Sequence, residues 1–298
     1  MSNLPRGVIA AVPTPVNADG KPDTERFLQH CQWALKNGCD GLNVLGSTGE
    51  ASSFGVEDRL SIMTAAATNL DPSKLMVGTG MTDIATTITL TSHAAELGFA
   101  AALVLPPYYY QPVTDEGLYR YFTSLCEATT STPIPLLLYN YPAMTGIAFS
   151  HDLVVRLAET LDGRVCGIKD SSANIPYCRA LAEALPGFNV FPSSETCLGS
   201  AKADGFAGCI SATTNITGPV AGRIWRQDDY PGRDDDAAFI ADIRTRVAAN
   251  PLIPAVKFIV ADRNKDINWQ QVLPPFAELD NDQKKSLHDI SDLMAARA

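Results

Sequence analysis

Lys169 stands at the end of a short apolar run that begins at Val165, and Asp170 follows it directly. Such a run is typical of a strand buried in a parallel sheet, so the lysine is expected at a buried strand end. Burial disfavours an ammonium group, and a lysine that is partly free amine can attack a carbonyl carbon to form a Schiff base. An ion pair between Lys169 and Asp170, or another carboxylate, is the alternative, and the run alone does not decide between them.

A phenol occupies the same kind of position, because the apolar run from Leu136 to Leu138 ends in Tyr139. If the two runs are neighbouring strands, this phenol and the amine of Lys169 lie at the same edge of the sheet. A tyrosine hydroxyl held there can move protons to and from a carbinolamine and the substrate carbon. A core tyrosine with a satisfied hydroxyl is the alternative.

Two predicted loops also have compositions that suggest a function. The turn GSTGE at residues 46–50 has backbone N–H groups that can converge on a carboxylate. It lacks the Gly-Lys-Ser/Thr ending of a nucleotide-binding P-loop. The loop PPYYYQP at residues 106–112 is stiffened by proline and carries three tyrosines, a composition that suits contacts between subunits.

The elements that position these residues follow from an alternation of short apolar runs with helical patterns, which indicates βαβ units around a parallel sheet. Eight such alternations favour a closed (β/α)8 barrel over an open doubly wound sheet. The absence of a G-x-G-x-x-G turn also counts against a dinucleotide-binding fold. The predicted strands run from Val8 to Val16, Gly41 to Leu45, Leu75 to Thr79, Ala101 to Leu105, Pro135 to Asn140, Val165 to Lys169, Val190 to Pro192 and Gly208 to Ser211.

Helices are predicted between these strands, because apolar residues recur there at three-to-four spacing. Gly38 and Gly98 follow two of them as stop signals, and Ser150 is a candidate N-cap for the fifth. The predicted helices run from Thr24 to Lys36, Val56 to Asn69, Ile84 to Leu97, Glu116 to Thr129, Asp152 to Leu161 and Pro176 to Leu185.

The composition of the sequence changes after Trp225, where an acidic stretch from Gln227 to Asp236 begins. Helical patterns follow from Ala237 to Ala248, Ile253 to Asp262 and Asp282 to Ala296, with no further strand. We therefore predict a (β/α)8 catalytic barrel over residues 1–226 and a helical region over residues 227–298 that packs on it.

Composition narrows the class of protein. The formal net charge of −10, without a cluster of Lys and Arg, argues against binding to nucleic acid or an anionic membrane. The segment from Met1 to Arg6 lacks the apolar run of a signal peptide, and no later run is long enough to span a bilayer, so the cytoplasm is expected. Seven scattered cysteines and four unpaired histidines indicate neither a disulfide framework nor a metal site.

The motifs occur together in an order that resembles one family. They are GSTGE at 46–50, Pro-Tyr-Tyr at 107–109, Tyr-Asn-Tyr-Pro at 139–142 with Thr-Gly at 145–146, and Gly-Ile-Lys-Asp at 167–170. The chain resembles, over almost its whole length, the pyruvate-dependent class I aldolases. That family includes dihydrodipicolinate synthase, N-acetylneuraminate lyase and the 2-keto-3-deoxy sugar-acid aldolases.

This resemblance implies catalytic roles for four residues. Lys169 forms the Schiff base and Tyr139 transfers protons, while the Ser47 hydroxyl links Tyr139 to Tyr109 of a neighbouring subunit. The family is typically a tetramer built from dimers, and its members need no metal or organic cofactor.

The resemblance also implies how the pyruvate moiety is held. The backbone of Ser47 and Thr48, in the turn that begins at Gly46, binds the keto-acid carboxylate. Ile210, on the eighth strand, lines the pyruvate pocket.

The sequence departs from the family where the second substrate binds. Synthases of lysine biosynthesis have an arginine for the carboxylate of the aldehyde partner where this chain has Met144, so an ion pair from that position is impossible. Ser194 and Glu195 replace the usual Gly-Asp, and they could meet hydroxyl groups of a sugar-like chain.

The leading hypothesis is thus a lyase that cleaves or condenses pyruvate with an aldehyde, on a 2-keto-3-deoxy sugar acid. The alternatives are 4-hydroxy-tetrahydrodipicolinate (dihydrodipicolinate) synthase and a dehydratase or deaminase of a deoxy-keto acid. A keto-acid sensor without catalytic activity is a hypothesis of another class, and the presence of Lys169, Tyr139 and Ser47 argues against it.

Overall fold

The computed structural model describes residues 4–161 and 163–297, and its centre is a barrel of eight parallel strands. The strands are hydrogen-bonded in the order β7-β6-β5-β4-β3-β2-β1-β8. The amide of Ala207, just before β8, donates to the carbonyl of Val190 in β7, which brings the two ends of the sheet together. The strands are β1 Gly7–Ala11, β2 Gly41–Val44, β3 Leu75–Gly78, β4 Ala101–Val104, β5 Leu136–Asn140, β6 Val165–Asp170, β7 Asn189–Pro192 and β8 Gly208–Ser211. The predicted (β/α)8 barrel is confirmed.

Strand residues are buried on both faces of the sheet, since side chains alternate between the barrel interior and the surrounding helices. This explains why the strands read as continuous apolar runs. The predicted first strand was too long: β1 ends at Ala11 rather than at Val16. Pro13 and Pro15 follow that end, and proline has no N–H for the ladder.

Twelve α-helices lie in the described residues. The six predicted barrel helices are all present, each with ends within one residue of the expectation, and the Ser150 side chain accepts from Leu153 N as an N-cap. The helices are α1 Thr24–Lys36, α2 Val56–Asn69, α3 Ile84–Glu96, α4 Asp115–Ala128, α5 Pro142–Thr145, α6 His151–Thr160, α7 Ile175–Ala184, α8 Thr214–Arg226, α9 Arg233–Ala248, α10 Leu252–Asn264, α11 Asn281–Leu287 and α12 Ile290–Arg297. Short 3₁₀ segments lie at Ala51–Ser53, Pro72–Lys74, Glu195–Gly199 and Ile267–Gln270.

Helix α8 was not predicted, because two glycines and a proline interrupt its pattern. The structure gives the reason for both glycines. A Cβ at Gly218 would come within 2.9 Å of the Asn37 carbonyl oxygen, and one at Gly222 within 2.5 Å of the Gly38 carbonyl oxygen. Glycine therefore lets α8 lie directly on the turn that follows α1.

Helices α9 to α12 form the region beyond the barrel, and the single helix predicted from Asp282 to Ala296 is in fact the pair α11 and α12. Several contacts tie the region to the barrel. Asp236 of α9 forms an ion pair with Arg223 of α8, and Arg26 of α1 forms one with Asp266. The division at residue 226 stays a prediction. Residues 1–3, 162 and 298, which that division includes, lie outside the described residues.

None of the helices in the described residues has the length and apolar content needed to cross a membrane. The same residues also contain no group of three or more His, Cys, Asp or Glu side chains arranged to hold a metal ion. Five of the seven cysteines are buried: Cys31, Cys39, Cys126, Cys178 and Cys209.

A buried ion pair joins the barrel to α10. Lys257, which is fully buried, contacts the carboxylate of Glu50 at the end of the 46–50 turn and donates to the Gln271 carbonyl at 2.9 Å. The second Glu50 oxygen accepts from Leu273 N at 2.7 Å. Burial lowers the pKa of Lys257, and the charge of Glu50 opposes that shift.

We predict that Lys257→Met lowers the free energy of unfolding by about 3–5 kcal/mol, because it leaves the Glu50 carboxylate buried without its cation. Urea unfolding followed by circular dichroism measures this loss. Lys265→Met is the control, since the side chain of Lys265 is 76% exposed and its pair with Asp262 contributes about 1 kcal/mol or less. Equal effects of the two substitutions would contradict the proposed tie between the turn and α10.

Candidate active site

Lys169 and Tyr139 lie opposite each other in the barrel interior, because β5 and β6 pair with these two residues in register. Lys169 Nζ donates to Tyr139 Oη at 3.1 Å and also lies 4.3 Å from the centre of the Tyr139 ring. Lys169 is 4% exposed and Tyr139 is 3% exposed. The structure therefore brings the predicted amine and phenol together at a buried site.

The neighbouring aspartate does not pair with this lysine. Asp170 points to the other face of the strand, where it accepts from Asn140 Nδ2 at 2.6 Å and from Ser172 Oγ at 2.8 Å. Within residues 4–161 and 163–297, Lys169 forms no ion pair with any carboxylate. The alternative interpretation of Lys169 as half of an ion pair is not what the described structure shows.

Burial alone would raise the pKa of the Tyr139 hydroxyl, yet the net effect of its surroundings is to hold that pKa below the ordinary value of 10.0. The positive charge of Lys169 lowers it most, followed by hydrogen bonds with Ser47, Lys169 and Ser171. Ser47 Oγ lies 3.3 Å from Tyr139 Oη. The phenol thus gives up its proton more readily than a free tyrosine.

The 46–50 turn that supplies Ser47 is fixed on both sides. Leu45 before it and Glu50 at its end both have left-handed backbone conformations, with φ of 52° and 53°. Such conformations are costly for residues other than glycine and often occur at binding sites. A Cβ at Gly46 would come within 2.6 Å of Asn43 Nδ2, so glycine lets the turn lie against β2.

The turn leaves two backbone donors free. The amides of Gly49 and Glu50 donate to the carbonyls of Gly46 and Ser47 within the turn. In contrast, the amides of Ser47 and Thr48 have no hydrogen-bond partner in the described part of the chain. Two adjacent free N–H groups of this kind form a site for an anion.

These groups share a cavity of about 420 Å³, a size typical of small-molecule sites. Six residues that the sequence predicted for the site line this cavity: Ser47, Thr48, Tyr139, Met144, Lys169 and Ile210. Met144 is 68% exposed, which places it where the cavity opens to solvent. A more open depression of about 770 Å³ lies near the amino ends of β6 and β7 and contains none of these residues.

Four predicted site residues do not line this cavity: Gly46, Tyr109, Ser194 and Glu195. Tyr109 is 76% exposed and packs edge-on against Tyr110, outside the cavity of its own chain. Its role in the site of a neighbouring subunit stays a prediction. Ser194 caps the 3₁₀ segment after β7, and Glu195 is completely buried within that segment.

Glu195 was expected to meet substrate hydroxyl groups, and the geometry does not support such a contact. Its carboxylate is surrounded by protein donors: Ser211 Oγ at 2.6 Å, Thr213 Oγ1 at 2.5 Å and Thr217 Oγ1 at 2.9 Å. Arg244 Nη1 donates to the same carboxylate at 3.1 Å. Glu195 thus holds other side chains instead of facing the cavity.

Arg244 lines the cavity and was missed by the sequence interpretation. It belongs to α9, which carries three arginines, and only the fold distinguishes them. Arg246 pairs with Asp289, and Arg233 donates to the Gly199 carbonyl at 3.2 Å. No local motif marks Arg244.

Comparison with known proteins agrees with this geometry. The sequence pattern of the Dihydrodipicolinate synthetase family matches residues 4–293. The 4-hydroxy-tetrahydrodipicolinate synthase of Dechloromonas aromatica is 32% identical over 82% of this chain and 80% of its own. YagE of Escherichia coli K12, whose name marks it provisionally as a 2-dehydro-3-deoxy-D-gluconate aldolase, is 30% identical over 96% of each chain.

Solved structures of similar proteins cover nearly the whole chain. A structure of YagE from Escherichia coli K12 in complex with pyruvate has a TM-score of 0.88 and 29% identity, and it covers 97% of this chain and 98% of its own. Dihydrodipicolinate synthase from Agrobacterium tumefaciens also has a TM-score of 0.88, with 27% identity over 97% of this chain and 99% of its own.

We predict that Lys169→Met raises the pKa of the Tyr139 phenol, because the substitution removes the positive charge and one hydrogen bond while burial remains. Tyrosine labelled with ¹³C at Cζ allows the phenol to be titrated by NMR, and a Tyr139→Phe sample assigns its signal. A pKa that stays unchanged or falls in the Lys169→Met protein would contradict this account of the site.

Proposed function

This chain belongs to the Dihydrodipicolinate synthetase family and is a lyase that uses a lysine Schiff base, and we propose that Lys169 forms this Schiff base with a 2-keto acid. We further propose that the reaction cleaves or forms a bond between pyruvate and an aldehyde, on a 2-keto-3-deoxy sugar acid. The observation that carries the proposal is the buried Lys169 amine, which lies 3.1 Å from the Tyr139 hydroxyl and has no carboxylate partner in the described residues.

The first steps use the amine and the phenol together. Lys169 Nζ attacks the C2 carbonyl of the keto acid, and the carbinolamine loses its hydroxyl group as water to give an iminium ion. Tyr139 supplies the proton that the departing hydroxyl group needs. The carboxylate at C1 binds the free amides of Ser47 and Thr48, which holds C2 beside the amine.

Cleavage then follows from the positive charge on the imine. Tyr139, as phenolate, takes the proton of the C4 hydroxyl group, the C3–C4 bond breaks, and its electron pair forms the enamine of pyruvate. The aldehyde leaves, the enamine is protonated at C3, and water hydrolyses the imine to release pyruvate. Condensation is the same sequence in reverse.

The alternatives share the imine and differ at the far end of the substrate. Dihydrodipicolinate synthesis remains the second candidate, because several relatives bear that name, including the one from Dechloromonas aromatica. Met144 stands where those synthases have the arginine that binds the carboxylate of the aldehyde partner, and this departure favours the sugar-acid reaction. A dehydratase would instead remove a proton from C3 of the imine to give an enamine, which then expels the C4 hydroxyl group, protonated to water, and leaves the C3–C4 bond intact. Product analysis with aspartate semialdehyde, other aldehydes and 2-keto-3-deoxy acids distinguishes these reactions.

We predict that borohydride reduction in the presence of pyruvate attaches one keto-acid unit to Lys169, which peptide mass spectrometry locates. Lys169→Ala should remove both the adduct and turnover, because Lys169 is the only lysine among the described residues that line the cavity. Lys202→Ala is the control, since the Lys202 side chain is 49% exposed and pairs with Asp228 at the surface. An adduct at another lysine, or turnover by the Lys169→Ala protein, would refute the assignment.

We predict that Tyr139→Phe lowers kcat by about 10²-fold or more, because the proton-transfer group is lost, while the affinity for pyruvate stays nearly constant, because the amides of Ser47 and Thr48 still bind its carboxylate. Steady-state kinetics and pyruvate titration measure the two effects. Tyr177→Phe serves as the control for loss of a partly buried hydroxyl, since Tyr177 donates to the Phe149 carbonyl at 2.9 Å and does not line the cavity. A Tyr139→Phe enzyme with unchanged kcat would rule out the proton-transfer role.

A further inference from the structure

Arg244 brings the second cation to the wall of the catalytic cavity, alongside Lys169. Its side chain is 28% exposed, so the guanidinium is neither sealed in the core nor freely solvated. It reaches the cavity from α9, whereas Lys169 reaches it from β6. A ligand bound to Lys169 therefore shares its space with a cation supplied by the helical region.

The hydrogen bonds of Arg244 leave most of its donors unused. All three of its contacts involve Nη1, with Glu195 Oε2 at 3.1 Å and the hydroxyl oxygens of Ser211 and Thr213 at 3.0 Å each. Nε and Nη2 have no partner in the described part of the chain. Their three N–H groups lie in one plane, in the arrangement that binds a carboxylate through two parallel hydrogen bonds.

Glu195 explains why the guanidinium is held in place. Three hydroxyl groups donate hydrogen bonds to the Glu195 carboxylate. The negative charge of Glu195 is therefore stabilised by these hydroxyl groups as well as by Arg244. Because the carboxylate is completely buried, it cannot itself receive a ligand group directly. Glu195 thus anchors one edge of the guanidinium while the opposite edge stays available to the cavity.

Arg244 shares the cavity with two stacked aromatic rings, those of Tyr139 and Tyr141. Lys169 lies over the Tyr139 ring, and that ring stacks on Tyr141 with 5.7 Å between centroids. Burial raises the pKa of the Tyr141 hydroxyl, a charge on Tyr139 raises it further, and the Arg244 cation opposes the shift. Arg244 therefore acts on the ring beyond the pair of Lys169 and Tyr139.

From this arrangement we propose that Arg244 binds an acidic group at the end of the substrate remote from the ketone, so that the preferred substrate is a 2-keto-3-deoxy diacid. The inference rests on the proposed function and specifies its substrate class. Met144 leaves one side of the cavity without a cation, and Arg244 supplies one from another side. A carboxylate fits better than a phosphate, because a single guanidinium balances the one negative charge of a carboxylate but not the roughly two of a phosphate group.

The test compares two six-carbon substrates that differ only at C6: a 2-keto-3-deoxy aldaric acid with a carboxylate there, and the matching aldonic acid with a hydroxymethyl group. The wild-type enzyme should have the higher kcat/KM for the aldaric acid. Arg244→Gln should lower kcat/KM for the aldaric acid by roughly 10- to 100-fold, the loss expected for charged hydrogen bonds, with little change for the aldonic acid. Arg246→Gln, on the same helix but paired with Asp289, should change neither value.

The Arg244→Lys variant keeps a cation beside Glu195. It tests the role of Arg244 in substrate binding even if the Arg244→Gln variant does not fold. It should lower kcat/KM more for the aldaric than for the aldonic acid, because lysine lacks the planar fork. Trapping of pyruvate on Lys169 by borohydride should be unchanged in every Arg244 variant.

Two results would overturn the role of Arg244: a wild-type preference for the aldonic acid, or an equal loss on both substrates. Weaker pyruvate trapping in the Arg244 variants would also overturn it, since Arg244 would then bind the carboxylate at C1. Failure of wild-type protein to trap pyruvate on Lys169 would instead refute the proposed function itself.

Discussion

The site depends on one hydrogen bond, between the Lys169 amine and the Tyr139 hydroxyl, and no carboxylate of the described residues pairs with this buried amine. An unpaired ammonium is costly to bury, and among the described residues the phenol oxygen and the face of its ring offset that cost. A carboxylate in contact with the amine would keep it charged and unreactive. Its exclusion is therefore part of the chemistry, and the alternation of side chains along β6 achieves it by turning Asp170 to the other face.

The same alternation gives Asp170 a structural role. It accepts from Asn140 on β5, while Asn140 in turn accepts from the amide of Phe149. The two strands that carry the amine and the phenol are thus joined on their outer face as well as their inner one. This fixes the relative position of Lys169 and Tyr139, which matters because a misplacement of about 1 Å can cost a hundredfold in rate.

Much of the fold could be predicted from the sequence, because strands and helices in a barrel of this kind follow local patterns. Lys169 and Tyr139 stood out as candidates at the ends of single apolar runs, but only the resemblance to one family decided between the alternatives for each. Helix α8 was not, since the glycines that break its pattern serve a close contact with the turn after α1. Arg244 was missed and Glu195 was assigned to the substrate for the same physical reason. Their pairing joins residues 49 positions apart, and no local pattern records such a contact.

A crystal structure of the enzyme soaked with pyruvate would show whether Lys169 forms the Schiff base. We expect continuous density between Lys169 Nζ and C2 of the ligand, with the carboxylate on the amides of Ser47 and Thr48 and the Tyr139 hydroxyl beside the imine. Pyruvate bound without a covalent link, or bound away from Lys169 with the amine turned out of the cavity, would contradict this expectation.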